Sequence, residues 1–227
     1  MRSSGFLLFS LALASANLVA QPAARSPFVR ATGQATISVK PDLARIDFSI
    51  VTQANDAQGA SSQNATRVNN LMSQLQTLLG MNADIKTVDY SLTPNYNYPQ
   101  NGGIPTLTGY TATNTVRVAT GDLSIVGQII DTGVQGGANQ VSNLQFGLKD
   151  DQPAQAQALS MATAQAKAHA DAMAAGGGLH TGSFHSIEEG VAVRPVYAPA
   201  GAAPSTPIVT GPVDIQATVT IQVDLVP

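Results

Sequence analysis

The sequence contains no cysteine, no tryptophan and only three histidines, and charged residues make up 11% of it. Without cysteine there is neither a disulfide framework nor a lipid-bearing N-terminal cysteine. Eleven Lys and Arg against fourteen Asp and Glu give a formal charge of −3 with no basic run, so the clustered positive footprint of a nucleic-acid binder is missing. Catalytic signatures are missing too: there is no Gly-x-Ser-x-Gly elbow, no Ser-x-x-Lys and no Walker loop. Gly133…Gly136-Gly137 lacks dinucleotide spacing and closes a predicted helix, which is the wrong context for phosphate. After residue 20 no segment is apolar enough to span a bilayer as a helix.

What is present begins with Arg2, an apolar run from Phe6 to Ala14, and the small residues Ser15 and Ala16. A basic start, a short apolar run and a small-residue exit describe a secretory signal peptide. The reading is therefore a signal peptide over 1–20, cleaved after Ala16 or Ala20, and a flexible lead over 21–30. Losing Arg2 takes the formal charge from −3 to −4.

Strand and helix periodicities then alternate cleanly. Ala35, Ile37 and Val39 alternate with Thr36, Ser38 and Lys40, and Ala44, Ile46, Phe48 and Ile50 alternate with Arg45, Asp47 and Ser49. These read as two one-faced strands, joined as a hairpin through Pro41-Asp42. Asp56 opens a long helix with Val68, Leu71, Met72, Leu75, Leu78 and Leu79 on one face and Gly80 as its stop. A strand with Val88, Tyr90 and Leu92 follows, then a Pro/Tyr loop from Thr93 to Pro105, then a strand through Tyr110, Ala112, Asn114, Val116 and Val118. A shorter helix runs from Asp122 to Thr132, stopped by Gly133, Gly136 and Gly137, and a strand spans Val141–Lys149. An alanine-rich helix starts at Pro153 and ends at Gly176-Gly-Gly178. A strand near Ser183–Val191, a second loop from Arg194 to Pro212 and an alternating strand from Val213 to Leu225 complete the chain.

Strand, long helix, strand, loop and strand thus recur. Phe48 aligns with Phe146 and Gly109 with Gly211, with halves over 31–120 and 121–227 and the Asp122–Thr132 helix as the connector. One-faced strands with two long helices predict an α+β fold: duplicated halves, a mainly antiparallel sheet, and helices packed on one face. The two loops match or exceed the length at which structureless segments become uncommon and functional.

Few residues suggest chemistry. His169, His180 and His185 have no ligand-spaced partners, and Asp150-Asp151 before Pro153 reads as a helix cap. Asn64-Ala-Thr66 matches a glycosylation sequon but falls on a predicted helix. Tyr96 and Tyr98 in the first loop and Tyr197 in the second are the candidate contact residues, because tyrosine is enriched at interfaces. No catalytic, cofactor-binding or metal-ligating residue is assigned, and no cofactor is expected.

Several short motifs in order resemble the SIMPL-domain family of exported bacterial proteins, YggE-like and periplasmic immunogenic proteins among them. They include Gly33, Val39-x-Pro41-Asp42-x-Ala44, Gly109-Tyr110-x-Ala112-x-Asn114, Gly137-Ala138-Asn139-x-Val141, Ala164-x-Ala166-Lys167-Ala168 and Gly211-Pro212. Thr111 and Leu179-His180 depart from the family pattern. The resemblance covers about Ala31 to Leu225. It implies a periplasmic or envelope-associated protein, with possible outer-membrane association, links to oxidative and envelope stress, and ring- or channel-like oligomers in some members. It brings no agreed active site. The leading expectation is a non-enzymatic envelope protein that self-assembles through its loops and strand edges, with an envelope component as a further partner. The rival is a monomeric periplasmic module that closes the same loops over a peptide or other envelope component.

Overall fold

The computed structural model describes residues 27–80, 83–194, 196–197 and 210–227. The expected signal peptide and most of the second loop lie outside the described residues. The elements in chain order are β1 (Phe28–Val39), β2 (Leu43–Ala54), α1 (Ala57–Leu79), β3 (Asp84–Asn97) and β4 (Thr106–Thr120). A single 3-10 turn (Leu123–Ile125) leads into α2 (Val126–Gln135) and β5 (Gln140–Gly147). Then come α3 (Gln152–Gly176), β6 (His180–Arg194), β7 (Val196–Tyr197) and β8 (Val213–Val226). β1 thus begins inside the stretch read as a flexible lead.

The fold is α+β, as the alternation predicts. One sheet has the order β3-β4-β2-β5-β7 and the other β1-β8-β6, each with antiparallel neighbours. The expected β1–β2 hairpin does not form. β1 pairs with β8 along its whole length, from Phe28↔Asp224 to Val39↔Val213. β2 lies in the other sheet between β4 and β5. The physical reason lies in the link: a tight hairpin favours residues such as Asn-Gly, whereas Pro41 fixes its own backbone and donates no hydrogen bond. The Asp42 amide instead donates to Gly147 O at 3.1 Å, and the Lys149 amide donates to Asp42 Oδ1 at 2.7 Å. The point where the chain enters the five-stranded sheet at β2 is therefore tied to the point where it leaves β5.

The repeat is visible in space with one strand exchanged. α1, β3 and β4 have counterparts in α3, β6 and β8, and the central strands β4 and β8 each hold a neighbour on both sides. Beside β8, however, the place that β2 takes beside β4 is filled by β1, while β5 joins the first sheet against β2. Asn139 prepares that join: its amide donates to Ser49 O at 3.0 Å and its Oδ1 accepts from the Val51 amide at 2.6 Å.

Two cores result. In the first, Val68, Leu71 and Leu75 of α1 cover Ile46, Phe48 and Ile50 of β2 and Val116 and Val118 of β4. Asp56 caps α1 by accepting from the Gly59 amide at 2.8 Å. Gly133 is not a helix stop as the sequence suggested; it lies within α2, where a Cβ would overlap the buried Phe48 ring. In the second core, Ala158, Ala162, Ala166, Ala170 and Ala174 of α3 rest on β8 and β1. Alanines contribute little apolar area, so this core relies on close approach. Gly33 makes that possible, since a Cβ there would overlap the Ala162 carbonyl and the Ala166 amide.

Candidate functional site

The loop expected over 93–105 is strand over its first five residues. β3 continues to Asn97 and β4 resumes at Thr106, paired as far as Asn97↔Thr106, so the hairpin tip is confined to residues 98–105. Alternating Thr, Asn and Tyr sustain pairing here in spite of Pro94, which faces Tyr110 on an edge strand, where proline is tolerated. Tyr96 and Tyr98 stand on this projection with ring centroids 6.4 Å apart and tilted by 56°. Tyr98 is 70% exposed and Ile104 87% exposed. Tyr197 is not with them. It lies on β7 against Gln145 of β5, so β3 and β7 form opposite edges of the same sheet.

The edges differ in how far they are covered. β1 is an edge strand, but α3 caps it: Gln165 Oε1 accepts from the Gln34 amide at 2.5 Å, and His169 Nδ1 donates to Thr32 O at 2.8 Å. His169 therefore has a structural partner. β3 and β6, the equivalent outer strands of the two sheets, carry exposed apolar side chains instead: Val88, Tyr90 and Leu92 on β3, and Phe184, Ile187 and Val191 on β6. α1 reaches β3 through a hydroxyl contact, Ser61 Oγ to Tyr90 Oη at 3.1 Å. α3 reaches β6 near its start, where Lys167 Nζ donates to Thr181 Oγ1 at 3.0 Å. Hydrogen bonds from Lys167 and then Thr181 hold the Asp171 carboxyl below its usual range.

The sequence reading missed a polar cluster on the face of the five-stranded sheet opposite α1. Asp47 is 2% exposed and accepts a fork from Arg117, Nε to Oδ1 at 2.6 Å and Nη2 to Oδ2 at 2.7 Å. Asn143 Nδ2 adds a third bond to Oδ2 at 2.9 Å from a bulged position with φ 52°. Burial pushes the Asp47 carboxyl up, but the bonds from Arg117 and Asn143 and the Arg117 charge outweigh it, so it lies below the ordinary value. Asp47↔Arg117 is a direct cross-strand pair, which the alternation of β2 and β4 would have revealed once their register was known. With its acceptor oxygens taken, this carboxylate is built to hold strands together.

The other candidates are structural. Asn64 is fully buried, and its Nδ2 donates to Ile50 O at 2.8 Å and Ala112 O at 3.1 Å, so in the folded chain the sequon is closed to modification. Replacing Asn64 with alanine should remove about 2 kcal/mol of stability, roughly two net hydrogen bonds, measurable by urea unfolding. Of the Asp150-Asp151 pair read as a helix cap, Asp151 is the N-cap residue but makes no side-chain cap bond, whereas Asp150 Oδ1 accepts from the Gln152 amide at 3.0 Å. Among the described residues no three His, Asp or Glu gather as a metal site, and no helix is long and apolar enough to cross a membrane.

Residues 29–223 match the SIMPL family, described as a protein of unknown function (DUF541). The chain is 32% identical over 129 residues to a 26 kDa periplasmic immunogenic protein of Brucella melitensis, covering 56% of this chain and 51% of that protein. It is 27% identical over 173 residues to an uncharacterised protein YggE of Edwardsiella ictaluri, covering 76% of this chain and 72% of the relative. A YggE protein of Escherichia coli K12 is 27% identical over 122 residues, covering 54% and 49%. The chain thus spans about half the length of the Brucella relative that it matches.

Proposed function

The chain belongs to the SIMPL family, and from that premise we propose that it is an exported, non-enzymatic protein of the cell envelope that assembles with copies of itself. The periplasmic name of the Brucella relative and the signal-peptide pattern of residues 1–20 support the location. The observation that carries self-assembly is the pair of open edges. β3 and β6 stand at equivalent outer positions, and each presents apolar side chains beside an edge that pairs with no strand among the described residues. Natural monomers blunt such edges, as α3 blunts β1 here. Because the two edges belong to different sheets, a β3-to-β6 contact is head-to-tail, and it closes into a ring if the rotation permits. The non-enzymatic reading is supported by the three hydrogen bonds that Asp47 accepts from Arg117 and Asn143 and by the structural use of His169 and Asp150. A role in oxidative and envelope stress is what the family resemblance adds.

Light scattering on the cleaved protein is the test. A species several times the chain mass is expected, and Ile187→Lys on β6 should reduce it to monomers with unchanged circular dichroism. A monodisperse monomer from the parent protein would sink the reading and leave the monomeric binding module in its place.

A further inference from the structure

The β3–β4 hairpin carries more than an open edge. No Asp, Glu, Lys, Arg or His occurs from Tyr90 to Val116, although Asp89 and Arg117 stand immediately outside that span. The far end of this neutral stretch is the exposed projection with Tyr96, Tyr98, Ile104 and Leu107. Pro99, Gly102, Gly103 and Pro105 shape the tip, with a turn bond from the Gly102 amide to Pro99 O at 3.3 Å. Backbone pairing extends to Asn97↔Thr106. The facing main-chain groups of the stem therefore satisfy each other, whereas those on its outer edges need water, so only the tip and not the stem suits entry into the interfacial layer.

We propose that this hairpin tip is a lipid-contacting wedge that inserts into the interfacial layer of a phospholipid bilayer. Tyrosine rings suit that layer because they bury an apolar body while the hydroxyl stays wet. Ile104 supplies the deepest apolar group. A neutral, tyrosine-bearing tip also fits the core of a protein interface, but the absence of any surrounding charge to steer or select a partner favours a lipid surface. The absence of lysine and arginine also sets the lipid requirement: insertion depends on buried apolar area and not on anionic headgroups. The tip lies beyond the Asp47–Arg117 cluster and outside both cores, so it is free to act without disturbing the fold. The proposal does not depend on self-assembly.

Because the protein has no tryptophan, Ile104→Trp places a single reporter at the tip. The mature variant is mixed with vesicles of phosphatidylcholine alone, at low and high salt. The expected result is a blue-shifted emission and sedimentation with the vesicles, both insensitive to salt. In a second variant, Tyr98→Asp with Ile104→Asp, vesicle binding should fall roughly tenfold or more, since two interfacial apolar groups are lost. Its circular dichroism should match the parent. Emission that stays unshifted at every lipid concentration overturns the proposal. So does a shift that grows with protein concentration in the absence of lipid, which makes the tip a contact between copies. Binding only to anionic vesicles, or binding kept by the double-aspartate variant, overturns it as well.

Discussion

Replacing Arg117 with methionine should cost about 3 kcal/mol of folding stability at neutral pH, because it leaves a buried carboxylate without its charge partner. Asp47 would keep Asn143 alone, at a position where 2% of its surface reaches solvent. The pH dependence should separate this from a simple packing loss. In the parent chain burial raises the Asp47 carboxyl, and the bonds from Arg117 and Asn143 with the Arg117 charge more than reverse it, so the folded pKa is lowered. A lowered carboxylate adds stability above its unfolded pKa, about 3.9, and loses it as pH falls through the folded value. Without Arg117, burial wins and the sign inverts. The variant should be weakest relative to the parent at pH 7, and the gap should narrow below about pH 4 as Asp47 takes up a proton. Urea unfolding at pH 7 and pH 3 reads this directly, and a gap that does not change with pH would sink the account. Asp47→Ala should be milder, because the freed guanidinium, with 35% of its side chain already exposed, can turn to water.

The same pair shows where sequence reading stops. The alternation of Ile46, Phe48 and Ile50 with Asp47 and Ser49 gave the strand and its buried face, but Asp47 looked like an ordinary solvated residue. Its partner is set by a register linking residues 70 apart in sequence, and a single strand's pattern does not encode its neighbour. The missed β1–β2 hairpin has the same origin. Alternation marks both segments as strands, but adjacency in sequence does not make them neighbours in a sheet. Elements with strong local signals are legible: Asp56 and Gly80 bound α1 as expected, and the alanine helix ends at Gly176 with Gly177 as its cap. The hairpin tip was half legible. Its tyrosines were visible, but the proline-rich composition concealed a stem that stays paired to Asn97. Nothing in the sequence distinguished Gly133, which accommodates Phe48, from a glycine that ends a helix.

Replacing Gly33 with valine should lift α3 from its sheet while leaving the rest of the molecule folded. The new Cβ would overlap the Ala162 carbonyl and the Ala166 amide, which are helix backbone and have no rotamer to escape into. Valine favours strands over glycine by at most about 1 kcal/mol, whereas backbone overpacking costs about 3 kcal/mol or more, so the clash decides the sign. Moving the helix also breaks the Gln165 and His169 bonds to Gln34 and Thr32, reopening the edge of β1. An alanine stripe has no long side chains to bridge the gap that forms, so contact is lost along its whole length. The core under α1 shares no residue with the core under α3. Hydrogen exchange should therefore show protection falling across α3, β1 and β8 while β2, β4 and α1 keep theirs. An equal loss in both sheets would mean that the chain unfolds as one cooperative unit despite its two cores. Retained protection in α3 would mean that the helix does not pack directly against Gly33 and would sink the account.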